Sequence, residues 1–155
     1  FFFSARDTAA SQYKWYVRDD GDNKNVSGNY GAISDERLKE NISDANSQWD
    51  DIKALRVRKF SFKDKNLDKA NMIGVIAQEA EEDGMVNLVD DEFDRDNDGN
   101  VLETTTKTFK YSILYMKAVK ALQEAMARIE TLETQNTTQA TQIADLTTRL
   151  EALEG

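Results

Sequence analysis

The chain has 155 residues and a formal net charge of −9, and it contains neither cysteine nor histidine. Its acidity disfavours nucleic acids and anionic membranes as partners, because phosphate binding needs a positively charged surface. The missing residue types exclude disulfides, the usual zinc sites, a Ser-His-Asp triad and a Cys-His dyad. Covalent catalysis would therefore need Ser, Thr or Lys with a carboxylate or lysine base, and no cofactor is predicted.

Residues 1–33 are too few to fold alone, since isolated hairpins are marginal in water. Tyr13–Val17 is aromatic and β-branched, which predicts a strand, while Asp19–Asn23 predicts a turn and Ser27–Asn29 a loop. We expect this segment to be the end of a larger upstream body, and the chain, which opens on Phe1, to be a fragment. The alternative is an N-terminal strand of the same domain. The opening phenylalanines are too short for a signal peptide, and no apolar run approaches the roughly 18 residues of a membrane span.

The next segment begins with a pattern typical of a helix start. Ser34 is suited to cap a helix, and Asp35 and Glu36 would then lie in its first turn, where acids favour the helix dipole. Leu38 and Ile42 are four residues apart and would form one apolar stripe. In this interpretation Ser34 has a structural role only.

The same residues allow a second interpretation, a serine with a lysine base. A neutral Lys39 could take the proton of the Ser34 hydroxyl, because the pKa of a lysine falls when it is desolvated. Five residues along a helix turn roughly 140°, so the two side chains can meet only if Ser34 lies just outside the helix. The attacked bond would then be Ile33–Ser34.

A compact region is predicted between residues 48 and 110. The predicted elements are a helix through Trp49, Ile52 and Leu55, a strand over Val57–Lys63, a polar turn over Asp64–Ala70, a strand over Met72–Ile76, a helix over Ala77–Glu82 that stops at Gly84, a strand over Val86–Val89 and a strand over Thr104–Tyr111.

An acidic stretch within this region resembles a calcium loop. Asp94, Asp96 and Asp98 occupy positions 1, 3 and 5 of an EF-hand loop, with Gly99 at position 6. Position 12 is Thr105 instead of Glu, and strands rather than helices are predicted on both sides. The alternative, an acidic hairpin tip with Asp-Gly in its turn, agrees better with the flanks.

The last 40 residues predict a parallel coiled coil. Arg128 and Arg149 take the g position, and Glu133 and Glu154 are the e residues with which they would pair across parallel chains. The period of the apolar residues is 3.5, which predicts a left-handed supercoil. The seam consists of Tyr115, Leu122, Ile129, Asn136, Ile143 and Leu150 at one heptad position and Ala118, Ala125, Leu132, Gln139, Leu146 and Leu153 at the other.

Asn136 and Gln139 place two adjacent polar layers in this seam, which weakens the coil and fixes its register. The alternative is an amphipathic helix that packs on its own domain, although the rest of the chain offers no globular face of that size.

Two segments of the chain resemble one known family. Ser34–Ile42 is similar to the opening signature of the self-cleaving intramolecular chaperone at the C-terminus of phage tail spikes and tail fibres, the endosialidase type. Gly74–Glu79 resembles a second hallmark of that family, Gly-x-x-Ala-Gln-Glu, some forty residues after the serine. The resemblance implies that Ser34 and Lys39 form the cleaving dyad and that the bond between Ile33 and Ser34 is cut.

The resemblance also suggests supporting roles around this dyad. Asp35 and Arg37 belong to the opening signature, and Gln78 and Glu79 either orient the cleavage site or form a helix start and subunit contact. In the family a hairpin like the one at Asp94–Val101 extends along the upstream fibre.

The sequence thus predicts an α+β fold with three parts. Residues 1–33 end the upstream fibre or spike, residues 34–110 form the chaperone and autopeptidase domain, and residues 111–155 form a trimeric coiled coil. The expected partners are two further copies and the upstream fibre, with no nucleic acid or membrane. The expected setting is a phage virion precursor made in the host cytoplasm. A related domain occurs in membrane-tethered transcription factors, but a transmembrane span follows it there and none precedes Gly155. Alternatives are a trimerisation tail that never cuts and a calcium-dependent binding module.

Overall fold

The computed structural model describes residues 3–7, 12–18, 22–28, 30–63, 72–96 and 98–155. Its contacts divide the chain into one unit of residues 1–43 and 59–73 and another of residues 44–58 and 74–155. The fold is mixed, with short strands, small helices and one long C-terminal helix, which confirms the predicted α+β class. The predicted boundaries after residues 33 and 110 stay predictions.

The first unit contains a three-stranded antiparallel sheet. Strands β1 (Phe3–Asp7), β2 (Gln12–Val17) and β3 (Asn23–Asn25) lie in that order, with Trp15 opposite Asn25. Strand β2 confirms the prediction for residues 13–17. The predicted turn at 19–23 lies mostly outside the described residues. Within the predicted loop at 27–29, Gly28 has a φ of 69°, which favours glycine, and residue 29 lies outside the described residues.

A short ladder follows the first unit's sheet along the chain. Strand β4 (Arg58–Lys59) pairs with β5 (Ile73–Gly74), and the Phe60 amide donates to the Met72 carbonyl at 3.2 Å. The strands predicted over 57–63 and 72–76 are thus in the right places but much shorter than predicted. The polar turn predicted over 64–70 lies outside the described residues.

Helix α2 (Ala77–Glu82) ends as predicted at Gly84. The Met85 amide donates to the Ala80 carbonyl at 2.9 Å and the Gly84 amide to the Glu81 carbonyl at 3.0 Å, with Gly84 at a φ of 84°. These two bonds form a Schellman motif, which satisfies carbonyls that the helix end would otherwise leave unpaired. The motif also turns Met85 back into the core.

The core of the second unit is small. Its fully buried residues lie at the end of α2 and in the segment that follows. Leucine, valine, alanine and phenylalanine side chains from five further positions pack around them. The buried members are Ala80, Met85, Leu88 and Val89, and the partly buried ones are Leu55, Val75, Ala77, Phe109 and Leu114.

The strand predicted over Val86–Val89 is wrong. Residues Val86–Leu88 form a 3-10 turn, and strand β6 (Val89–Arg95) begins only at Val89. Leu88 and Val89 are adjacent and both buried, whereas successive residues of a strand point to opposite faces. A turn allows both side chains to enter the same core.

The strand predicted over Thr104–Tyr111 forms, but it starts and ends before the predicted residues. Strand β7 covers Val101–Phe109 and pairs antiparallel with β6, with Phe109 opposite Val89. Beyond Phe109 the pairing continues with one further bond, in which the Lys110 amide donates to the Leu88 carbonyl at 2.8 Å. Helix α3 (Tyr111–Glu154) starts at the residue that was predicted to end the strand.

Helix α3 has 44 residues, which corresponds to roughly 66 Å. Helix α1 (Trp49–Ala54), which confirms the helix predicted from Trp49, Ile52 and Leu55, packs against its first half. Among the helices in the described part of the chain, none combines the length and apolar content that crossing a membrane requires.

Candidate functional site

The helix predicted to begin at Ser34 does not form. Residues Glu36–Leu38 make a single 3-10 turn, and Asp35, not Ser34, caps it. The predicted apolar stripe has no surface to cover, since Leu38 and Ile42 are 73% and 66% exposed. An amphipathic helix gains most of its stability from burying such a stripe, so the local signals at its start are insufficient here.

The turn is held by its own ion pair. The Asp35 carboxylate accepts from the Arg37 amide at 2.9 Å and from the Arg37 Nε at 3.0 Å. These bonds to the Arg37 side chain and amide lower the pKa of Asp35, and the Asp35 carboxylate raises the pKa of Arg37. Both side chains face solvent, which weakens the pair. The two signature residues therefore shape the backbone next to Ser34.

The turn brings the predicted dyad together. The Lys39 Nζ donates to the Ser34 Oγ at 2.8 Å. Ser34 precedes the cap and Lys39 is extended (φ −122°, ψ 150°), so the chain bends back between them. This distance lies within the range over which a base can take a hydroxyl proton.

Both members of the dyad, and the bond beside it, lie on the surface. Ser34 and Lys39 are exposed, and the Ile33 side chain is 85% exposed. The Lys39 amine is thus in contact with water, whereas a lysine that acts as a base needs surroundings that exclude water. In the single chain the Lys39 amine and the Ser34 hydroxyl are therefore close together, but they are not shielded from water.

Gln78 and Glu79 lie in α2 and have different surroundings. Gln78 is exposed, whereas the Glu79 carboxylate accepts from the Nε and Nη2 of Arg58, each at 2.8 Å. Arg56 donates to the Glu79 carbonyl at 2.9 Å and to the Asp83 carboxylate at 3.1 Å. These two arginines, which sequence reasoning missed, tie the segment after α1 to the end of α2, so the observed contacts of Glu79 are structural.

The Arg58 side chain lowers the pKa of Glu79. A carboxyl with a lowered folded-state pKa stabilises the fold above its unfolded pKa and loses this effect as the pH falls through the folded value. We expect Glu79→Gln to lower the melting temperature by a few degrees at pH 7, because the pair is only partly screened. The difference should begin to shrink as the pH falls below about 4.3, the usual pKa of a glutamate, and it should disappear at a second, more acidic pH that lies below the lowered pKa of Glu79 in the folded state. Thermal unfolding of Glu79→Gln and of Gln78→Glu as the control at both pH values checks this, and an undiminished difference at low pH would contradict it.

The acidic hairpin tip uses its carboxylates within its own turn. Asp96 accepts from the amides of Asp98 and Asn100, both at 2.9 Å, and from the Asn100 side chain at 3.0 Å. The Thr106 hydroxyl donates to Asp94 at 2.7 Å. The bonds to Asn100 lower the pKa of Asp96. These bonds within the turn are those of an Asp-Gly hairpin tip. In the described residues no three ligand side chains converge as a metal would require.

Helix α3 presents two different faces. Its predicted seam is exposed, with Leu122 at 61%, Ile129 at 54% and Leu146 at 59%. A second face, through Lys117 and Glu124, packs on α1 of the same chain. All residues from 126 to 155 are exposed. In the first half of α3, the second face therefore packs on its own domain, as the alternative predicted. The seam does not.

Polar side chains attach this second face to α1. Glu124 accepts from the Ser47 hydroxyl at 2.7 Å and from the Gln48 amide at 3.0 Å, and these bonds lower its pKa. Lys117 donates to Asp51 at 2.6 Å. Nothing in the sequence pattern indicated these contacts, because the partners are 66 to 77 residues apart.

Arg128 also has a partner within its own chain. Its guanidinium lies 4.1 Å from the centre of the Trp49 ring, a cation–π contact. In the single chain this residue, predicted to pair with Glu133 across chains, therefore stacks on α1. Arg149 lies in an i,i+4 ion pair with Asp145 at 3.8 Å.

Residues 34–90 match the family model described as the chaperone of endosialidase, Peptidase_S74. The matched segment starts at Ser34 and includes Lys39, α1, α2 and the Gly74–Glu79 motif. A search of curated proteins found no match to the chain.

Proposed function

We propose that residues 34–90, which match the model of the chaperone of endosialidase, belong to a domain that assembles as a trimer, directs the folding of an upstream phage tail fibre or spike and then cuts itself off between Ile33 and Ser34. The observation that carries this proposal is the 2.8 Å contact between the Lys39 Nζ and the Ser34 Oγ. It lies at the first residue of the family match, next to an exposed peptide bond.

The cut follows from the chemistry of these two side chains. A neutral Lys39 amine takes the hydroxyl proton of Ser34, and the Oγ attacks the carbonyl carbon of Ile33. The bond from that carbon to the Ser34 nitrogen breaks as the nitrogen takes up the proton, which leaves an ester between Ile33 and the Oγ. Water hydrolyses the ester to a carboxylate on Ile33, a free amino group on Ser34 and a restored hydroxyl. Each chain reacts once.

Assembly supplies what the exposed dyad lacks. The seam of α3 carries an apolar stripe with a heptad period whose large apolar side chains are all more than half exposed, and identical copies in parallel would cover it. A neighbouring copy that also covers Ser34 and Lys39 would remove the amine from water and favour its neutral form. The cut would then wait for a complete trimer.

This order of events suits a chaperone. Trimeric β-rich fibres have many contacts between distant residues and fold slowly. A C-terminal coil brings three chain ends together in register before the upstream part closes. Its removal leaves a product that cannot readily unfold and refold, so the fibre is kinetically trapped. The setting proposed is a fibre precursor in the host cytoplasm, from which residues 34–155 are released.

A second candidate is a trimerisation domain that never cuts. It is favoured by the exposure of both Ser34 and Lys39 in the single chain. In that case the contact only stabilises the turn before Glu36.

Intact-mass spectrometry and light scattering of the purified chain test the proposal together. We expect two fragments, residues 1–33 and 34–155, whose masses sum to that of the whole chain plus one water, and a trimer in solution. A trimer whose chains remain whole over days at neutral pH would support the second candidate. A cut at any other bond would contradict both.

A further inference from the structure

An apolar groove lies between α1 and the first half of α3. Its volume is about 340 Å³, and since a cavity of about 150 Å³ takes one benzene-sized group, it has room for two large side chains. The lining residues are Trp49, Ile52 and Lys53 from α1 and Ala118, Ala121 and Leu122 from α3. These α3 residues lie in the seam or directly beside it, so the groove continues the surface on which α3 would meet another copy.

The heptad register identifies the first side chain that would enter the groove. In a parallel coil, the side chain at an a position inserts between four residues of the facing helix. These four are the a residue of the same layer, the d and g residues that precede it and the d residue that follows it. For Leu122 these four are Ala118, Ala121, Leu122 and Ala125. Three are alanines, which leaves a wide hole, and Trp49 and Ile52 form its outer wall.

The same register identifies the second side chain. Each g residue faces the e residue five positions further along the neighbouring helix, so Ala121 faces Met126 of the next copy. Met126 is 53% exposed, and Val119, the e residue one heptad earlier, is 47% exposed. The later e residues are not large and apolar: they are Glu133, Ala140, Thr147 and Glu154. Large apolar e residues thus occur only in the stretch of α3 on which α1 packs.

Met126 cannot reach the groove of its own chain. Five residues along α3 rotate its side chain roughly 140° from that of Ala121, which lines the groove. Its exposure in the single chain therefore has no explanation within that chain.

We propose that the groove between α1 and α3 is the docking site for Leu122 and Met126 of a second copy of this chain. α1 is then part of the subunit interface and not only a brace for its own helix. This inference rests on the parallel assembly proposed above and adds a contact that a coiled coil alone would not contain.

A disulfide between copies tests the contact, because the chain has no native cysteine. In Lys53→Cys/Met126→Cys each copy would present one thiol to each neighbour, and both replaced side chains are exposed. Mild oxidation of the assembled full chain should link most of it into dimers and trimers on a non-reducing gel. Lys53→Cys/Ala127→Cys is the matched control, since Ala127 follows Met126 directly but points away from the seam. It should yield no covalent oligomers.

Light scattering on both double variants separates the possible failures. If both are trimers and only the Met126 pair cross-links, the docking site is supported. If both variants are trimers and neither of them cross-links, the docking site is overturned while the proposed trimer stands. The same holds if both variants are trimers and both cross-link between copies. If the parent chain is a monomer, the trimer and the docking site are overturned together.

Discussion

Ser34→Ala should remain whole under conditions in which the parent chain is cut completely. The substitution removes the oxygen that would attack the Ile33 carbonyl in the proposed cut, and it leaves the turn intact because Asp35, not Ser34, caps it. Intact mass over time measures the effect, and Ser43→Ala, also exposed and in the same unit, is the control that should be cut at the parental rate. A cut Ser34→Ala chain would remove the serine from the mechanism.

Lys39→Arg separates a base from a structural contact at the same position. Arginine keeps the charge and can still donate to the Ser34 Oγ, but its very high pKa prevents it from accepting a proton. If Lys39 is the base, cleavage should slow by about 10²- to 10⁴-fold, the usual contribution of general-base catalysis. As a control, a chain with Lys59→Arg, which replaces an exposed lysine in β4, should be cut at the parental rate. Parental cleavage in Lys39→Arg would instead assign Lys39 to shaping the turn.

Elements with strong local signals were predictable from the sequence. Helix α2 has good helix formers and a glycine where its end needs a positive φ, and it was predicted with the bounds it has. The dyad contact was predictable for a similar reason, since it joins residues only five positions apart. The contact requires that Ser34 lies just outside the helix, and Ser34 does lie before the 3-10 turn and its cap, Asp35.

The errors have a tertiary origin. The helix expected from Ser34 fails because Leu38 has nothing to cover, and the 3-10 turn before Val89 exists because Leu88 and Val89 enter one core. The pairing of Arg58 with Glu79 spans 21 residues, and that of Ser47 with Glu124 spans 77. No periodicity or spacing relates such residues before the fold brings them together.

Two aspartates in the seam of α3 should abolish the assembly. In Ile129→Asp/Leu132→Asp a trimer would have to bury six carboxylates without partners, and a buried unpaired charge costs far more than one coil layer contributes. We expect a monomer by light scattering at concentrations at which the parent is a trimer. Self-cleavage should fall at least 100-fold, if desolvation of Lys39 depends on assembly.

The same variant should also lose helix. The second half of α3 is rich in threonine, a β-branched residue of low helix propensity, and the hydroxyls of Thr134, Thr137 and Thr138 donate to the carbonyl four residues earlier. Without partner helices such an exposed segment is marginal in water, so circular dichroism at 222 nm should decrease together with the trimer.

Thr131→Asp/Thr134→Asp adds the same two charges on the outer face of the same turns and is the matched control. It should stay trimeric, helical and competent to cut. If the seam variant is monomeric but still cuts at the parental rate, the dyad is active in single chains and the coil does not control the cut. If both variants remain trimeric, the heptad seam is not the assembly surface, and the parallel register on which the docking of Met126 depends is wrong as well.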